Sequence, residues 1–420
     1  MCTRKMRFFL NHVCLSICLA GSAAAQTTLT WQQVVDKFHA ANPNLSAGLL
    51  SIQESKAGEI TANLRPNPNI SMSLDQLQPF YGNPYRPLGS ALPLVAFDYL
   101  HERQHKRELR LESAQKGTAI AVSQQLDLER NLLFNLRSAF VQTLQAKALL
   151  ANAKTNLEYF HKELAINRDR FQLGDIARVD LDRIALQRVQ YESDFQTALV
   201  NARTAKITLL MLLNDRTPVD KFDVAGPFDF KEQRMQLEDF HAKALQARPD
   251  LRAAMQAVDK ASTDHKLAVS NGSTDPTFGL DFGNAGGISY FGMSVSIPIR
   301  IFDRNQGEKV RTYIDIAHAK RLTDAAHAQV FSDVDSAYYT LVSTANLLRP
   351  YGGPDGYLET ARRIRDTIAF SFQRGQATLL DYLDAQRDFR ATETAYISLV
   401  GAYLTAAGQL NMAVGTEVIR

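Results

Sequence analysis

Leu126-Asp127-Leu128-Glu129-Arg130-Asn131-Leu132-Leu133-Phe134-Asn135-Leu136-Arg137-Ser138-Ala139-Phe140 decides the fold. Leu126, Leu133 and Phe140 fall seven apart, and Leu132, Leu136, Ala139 and Leu144 fill the same face, which is the helical period. Nothing nearby interrupts it. No proline occurs from residue 94 to 217, and proline is the strongest breaker of a helix interior. Gly117 stands alone in a strong helical background, which leaves Gly174 as the stop. The pattern predicts one helix from about residue 100 to 171, a turn at Gly174, and a return helix from about 177 to 213. At its rise per residue the first is on the order of 100 Å long. A globule cannot bury such a rod; helices of this length pack against one another as coiled coils.

The chain repeats this plan. Asn42-Pro43-Asn44-Leu45 recurs as Arg248-Pro249-Asp250-Leu251, Pro93-Leu94 with Phe97-Asp98 as Pro298-Ile299 with Phe302-Asp303, and Phe171-Gln172-Leu173-Gly174 as Phe372-Gln373-Arg374-Gly375. Three echoes in one order, at nearly one spacing, predict two repeats, 26–225 and 226–420, with 214–235 as the linker. The second half should then carry helices from about 305 to 371 and 377 to 413. Its first helix should break at Arg349-Pro350-Tyr351-Gly352-Gly353-Pro354.

Residues 1–25 have the form of a secretory signal peptide. Arg4, Lys5 and Arg7 precede an apolar run from Phe8 to Ala20 and the small residues Gly21-Ser22-Ala23-Ala24-Ala25, with Gln26 as the expected mature start. All three cysteines, Cys2, Cys14 and Cys18, lie here, so no disulfide or thiolate chemistry is expected in the body. Ile17 before Cys18 is larger than a lipoprotein signal normally tolerates. The net charge of +3 also resides here. Without these residues 44 bases face 44 acids, and a neutral body gives no electrostatic reason for a nucleic-acid partner. Past residue 25 no apolar stretch is expected to approach the ~20 residues of a membrane helix. A membrane, if crossed, must be crossed by strands.

Strand candidates exist. Ile70-Ser71-Met72-Ser73-Leu74-Asp75 and Phe278-Gly279-Leu280-Asp281-Phe282 alternate apolar with polar or small residues. So do Phe291, Met293, Val295, Ile297 and Ile299 with the residues between them, while a less regular partner is expected within 84–97. Period two by itself favours a half-buried strand of a soluble sheet; it also suits a membrane barrel with lipid outside and a lumen within, and the export signal and the rods shift the weight to that reading. One hairpin per half gives about four strands per chain. An open sheet of that size cannot sit in lipid, because its edge groups lack partners. Closure takes about eight strands or more, so the barrel must be shared between chains.

Ser296-Ile297-Pro298-Ile299-Arg300-Ile301-Phe302-Asp303-Arg304-Asn305-Gln306-Gly307 and Gly375-Gln376-Ala377-Thr378-Leu379-Leu380-Asp381-Tyr382-Leu383-Asp384-Ala385-Gln386-Arg387 resemble the TolC-like outer-membrane efflux family, most of all its heavy-metal (CzcC/CusC-like) branch. The resemblance covers essentially the whole mature chain. It implies a mainly α fold with a small β part: a homotrimer whose twelve-stranded outer-membrane β-barrel continues into a periplasmic α-helical barrel. It further implies a passive exit duct, with a periplasmic adaptor and an inner-membrane pump as partners, no cofactor, and energy supplied by the pump. By the same resemblance Asp381 and Asp384 form the periplasmic gate, and the tips around Gly174, Asp175, Gly375 and Gln376 touch the adaptor. Ala377 stands where some relatives carry a basic residue, so their locking contacts do not transfer. Asp180 is the first-half counterpart of Asp381, with Arg178 and Arg183 as candidate partners.

Two other readings compete. One is an exported helical scaffold without a pore. The other rests on His101-Glu102-Arg103-Gln104-His105, which matches the H-E-x-x-H zinc-peptidase pattern in an expected helical context. Its cationic surroundings, and the scatter of His161, His241, His265, His318 and His327, leave it without a third ligand. No phosphate loop or nucleophile elbow is present.

Overall fold

The fold was obtained as a computed structural model that describes residues 27–77, 79–80, 84–232 and 236–419. The expected signal segment, with its cysteines and charge, lies outside the described residues. The first half runs β1 (Thr27–Leu29), α1 (Trp31–Ala41), α2 (Pro43–Ala62), β2 (Asn69–Asp75), β3 (Leu92–Leu100), α3 (Lys106–Gln172) and α4 (Arg178–Leu212). After β4 (Phe222–Val224), the second half runs α5 (Leu237–Ala247), α6 (Pro249–Asn271), β5 (Thr277–Ala285), β6 (Ile288–Ser296), α7 (Gln306–Leu348), α8 (Tyr357–Gln373) and α9 (Leu379–Val414).

The periodic, proline-free stretch forms a single helix of 67 residues, roughly 100 Å long. The matching helix of the second half is split, as Pro350 requires. α7 ends in a 3-10 turn at Arg349–Tyr351, Gly353 takes φ +86°, and α8 starts afresh at Tyr357. Arg349 pairs there with Glu232, which ties the break to the segment joining the halves. That segment is anchored at a second place. β4 pairs in parallel with β1, and the ammonium groups of Lys147 (2.7 Å) and Lys206 (3.1 Å) flank Asp223.

Each half has its own apolar core. Phe38, Leu136, Phe140, Leu209 and Phe222 centre the first, and Phe240, Leu251, Val334, Leu348 and Leu410 the second. A third cluster, with Phe160, Leu164, Ile184, Tyr191, Phe372 and Tyr382, joins α3 and α4 to α8 and α9 near their ends. One expectation is corrected by α9. It carries an 18-residue window of mean hydropathy 1.3, long and apolar enough to cross a membrane, with half of that window buried inside the protein. The apolar side chains of α9, among them Val400, Ala406 and Leu410, serve the second core.

Two of the three echoes mark equivalent structure. Asn42 and Arg248 precede prolines at the first turns of α2 and α6, where a missing N–H costs nothing. The glycine turns at 174 and 375 match as well. The third echo does not, since Pro93 sits inside β3 opposite Leu74 whereas Pro298 lies beyond the end of β6. The strand expected to reach Ile299 stops at Ser296.

Candidate functional site

The four long strands form one antiparallel sheet in the order β2-β3-β5-β6. The two hairpins meet through β3 and β5, which belong to different halves. The register stacks Ile70 on Phe97, Phe97 on Leu280 and Leu280 on Met293. One pleat over, Met72, Val95, Phe282 and Phe291 form a second row. Period two therefore places all these side chains on one face. That face is open: Met72 is 78% exposed, Phe291 64% and Met293 79%. A contiguous apolar surface of this extent needs a partner, because water does not tolerate it.

The opposite face carries Ser71, Ser73, Asp98, Asp281 and Ser294. Glycine makes room on it. A Cβ at Gly279 would lie 2.2 Å from the Ser294 hydroxyl, and one at Gly283 would lie 2.6 Å from the Tyr290 hydroxyl. The sheet is thus apolar on one side, polar on the other and, among the described residues, unpaired along its two edges, β2 and β6.

Sheet meets helices at the H-E-x-x-H segment, which is not helical. Residues 101–105 are a turn in which Gln104 and His105 take φ +58° and +55°, and α3 begins only at Lys106. The two histidines share no helix face, and Glu102 is held by Arg110. Among the described residues no cluster of His, Cys, Asp and Glu fit to hold a metal ion exists. The segment is a joint. His101 N–H donates to Pro276 C=O (2.9 Å), and the buried Lys106 bonds Ser273 C=O (3.0 Å) and Asp275 (2.5 Å). Its counterpart is Asn305, the left-handed residue (φ +60°) before α7, reached over a longer connection because the second strand leaves the sheet four residues earlier relative to its helix.

At the other end of the rods both glycine turns have one geometry. Gly174 (φ +85°) and Gly375 (φ +74°) close their helices. The next N–H, from Asp175 or Gln376, reaches back to Arg170 or Ser371 C=O at 2.9 Å in each case. This is the Schellman arrangement, which needs a residue free to adopt positive φ. Gly174, Asp175, Gly375 and Gln376 are all exposed at the tips.

Asp381 and Asp384 lie on the first two turns of α9, both solvent-accessible. Asp381 completes a capping box, its carboxylate accepting from Thr378 N–H (3.1 Å) and Oγ1 (2.6 Å). These bonds hold its pKa below the usual carboxylate range. Asp384 instead faces Arg387 at 3.2 Å. At the first tip Arg178 pairs with Asp182 (3.1 Å), not with Asp180 as expected; at i, i+4 those two face each other.

Sequence reading missed the polar contacts that bind α8 and α9 to α3 and α4. Tyr382 Oη donates to buried Glu163 (3.1 Å), Gln386 to Tyr159 Oη (3.4 Å), and Arg390 pairs with Asp194 (3.0 Å). Arg365 covers the Phe389 ring at 3.9 Å. Burial, and then the Glu163 carboxylate, push the Tyr382 hydroxyl far up. Tyr382 sits between the two acids that were singled out, so its place in that motif was the only available signal.

An amphipathic strand ladder on two pairs of long antiparallel helices defines an outer-membrane channel protomer of the tunnel type. The model of the outer membrane efflux protein family matches residues 241–416 of the chain. The chain is 23% identical over 412 residues to the outer membrane efflux protein BepC of Brucella suis, covering 94% of this chain and 87% of that one. To the cobalt-zinc-cadmium resistance protein CzcC of Cupriavidus metallidurans it is 20% identical over 400 residues, covering 92% and 90%. The fold superposes on the crystal structure of CusC with a TM-score of 0.77 at 17% identity, covering 92% of both chains. The helical and sheet architecture expected from the resemblance is the one found, and the protein is an outer-membrane one with a periplasmic extension.

Proposed function

We propose that the chain is the outer-membrane exit duct of a tripartite efflux system, working as a homotrimer. The exposed apolar face of a sheet with two free edges carries this reading. Lipid can cover the face, but not the edges, whose N–H and C=O groups need partners. Setting β6 of one copy beside β2 of the next continues the antiparallel alternation, because β2 and β6 run in opposite directions. Three copies of four strands close a ladder of about twelve, within the range of known barrels.

In that trimer the two repeats, 26–225 and 226–420, each supply one hairpin and one helical pair. The tips at Gly174, Asp175, Gly375 and Gln376 meet a periplasmic adaptor, which links the duct to an inner-membrane pump that supplies the energy. Asp381 and Asp384 from three copies ring the mouth and favour cations electrostatically. The contacts from α8 and α9 to α3 and α4 resist its widening. The names of the relatives CzcC and BepC support export rather than catalysis, and the former supports metal cations as cargo.

The body beyond residue 25 has no cysteine, so engineered cysteines on β2 and β6 can be read cleanly. Oxidation should yield covalent dimers and trimers in outer-membrane fractions. Monomers only, or protein that stays soluble without detergent, would leave the scaffold reading in place of the duct.

A further inference from the structure

Where α1, α3, α6 and α9 converge, a cleft of about 520 Å³ opens to solvent. It lies far along the rods from both the sheet and the tips, and the duct does not use it. Its size falls within the range of small-molecule sites. Val35, Leu126, Leu133 and Phe134 supply apolar wall. Gly408 on α9 leaves room for the Arg137 stem, since a Cβ there would stand 3.3 Å from Arg137 Cγ.

The charges of the cleft are unequally satisfied. Arg130 is saturated by Asp127 and by Met412 C=O. Arg137 is not. Its guanidinium lies over the Trp31 ring at 4.6 Å, and it makes no hydrogen bond or ion pair among the described residues. Burial lowers its pKa, and the Glu417 carboxylate only partly offsets this. A half-buried guanidinium has five donors and a geometry suited to a carboxylate, and leaving it without an anion is costly.

We infer that this cleft is a binding site for a small amphipathic organic anion, whose carboxylate or similar oxyanion pairs with Arg137 while its apolar body lies against Leu126, Leu133 and Phe134. The ligand would bridge α3 of one half to α6 and α9 of the other. The inference is independent of the duct reading, because it needs neither barrel closure nor an adaptor.

Trp31 is the only tryptophan of the chain, so fluorescence excited selectively at tryptophan, away from the tyrosine band, reports this cleft alone. The detergent-solubilised full-length protein is titrated with 3-phenylpropionate, with its neutral amide, and with inorganic phosphate. A saturable change with the carboxylate, at least tenfold weaker with the amide and with phosphate, is expected. Arg137→Gln should weaken carboxylate binding at least tenfold, and Glu417→Gln should tighten it. If Arg137→Gln fails to assemble, the Glu417→Gln comparison decides. No saturable change, equal binding of the amide or phosphate, or indifference to whichever substitution is read overturns the site.

Discussion

Tyr382 on α9 donates its hydroxyl hydrogen to Glu163 on α3 across 3.1 Å, beside the cluster that joins the ends of the two halves. The donor lies between the two acids of the proposed gate, and the acceptor is nearly sealed from water. A charge at the mouth and a polar clasp inside the wall therefore share one turn of helix.

Replacing the donor strands the acceptor. Tyr382→Phe removes the hydrogen bond and leaves a buried carboxylate unpaired, which costs about 1–3 kcal/mol. Thermal unfolding of the assembled protein should show a lower Tm. Glu163→Gln, which can still accept from the tyrosine, should cost less. Equal melting of wild type and Tyr382→Phe would show that the clasp contributes nothing.

Acidification should weaken the cation preference of the gate as Asp381 takes up a proton. Asp381 is held below its ordinary value of 3.8 by Thr378, so its contribution is complete above that value and is lost as pH falls through the lowered one. Asp384→Ala should raise single-channel conductance and reduce cation preference without disturbing the cap. The same loss of preference on acidification should move to higher pH in Thr378→Ala. Currents indifferent to Asp384→Ala would remove the acids from the gate.

The two faces of the sheet should tolerate charge unequally. Leu280→Arg, at the middle of β5 and in line with Phe97 and Met293, should cost about 2–4 kcal/mol in lipid and deplete outer-membrane trimers. Asp281→Lys, one residue along and on the other face, should assemble normally. Fractionation and native gels distinguish these outcomes; equal tolerance of both would mean that neither face meets lipid.

Acid should loosen the segment that joins the halves. Burial pushes the Asp223 carboxyl up, but Lys147 and Lys206 more than offset this and hold it below 3.8. Its contribution is therefore present above that value and fades as pH falls below it. Hydrogen exchange at β1 and β4 should accelerate on acidification. In Asp223→Asn it should already be fast at neutral pH, and unchanged protection there would contradict the anchor.

Local rules made much of this molecule legible. The seven-residue spacing from Leu126 to Phe140, the absence of proline, and a glycine at each tip act over one or two helical turns, so the rods, their turns and the break at Pro350 follow from neighbours in sequence. Alternation in Ile70–Asp75 and Phe278–Phe282 likewise settled which strand residues share a face.

Long-range pairing was not legible. Nothing near Leu94 specifies that β3 takes β5 as its neighbour, nor does the sequence around Glu163 point to Tyr382, because each partner is distant along the chain and packing selects among many compatible residues. His101-Glu102-Arg103-Gln104-His105 shows the same limit: its letters fit a metal-binding helix, but Asp275 and Pro276 from the other half hold it as a joint. Sequence alone determined the helical rods, their turns and the two-faced strands; tertiary structure decided which of them touch and left Arg137 without a counter-ion among the described residues. Periodicity is written in adjacent residues, whereas contact is a property of the folded whole.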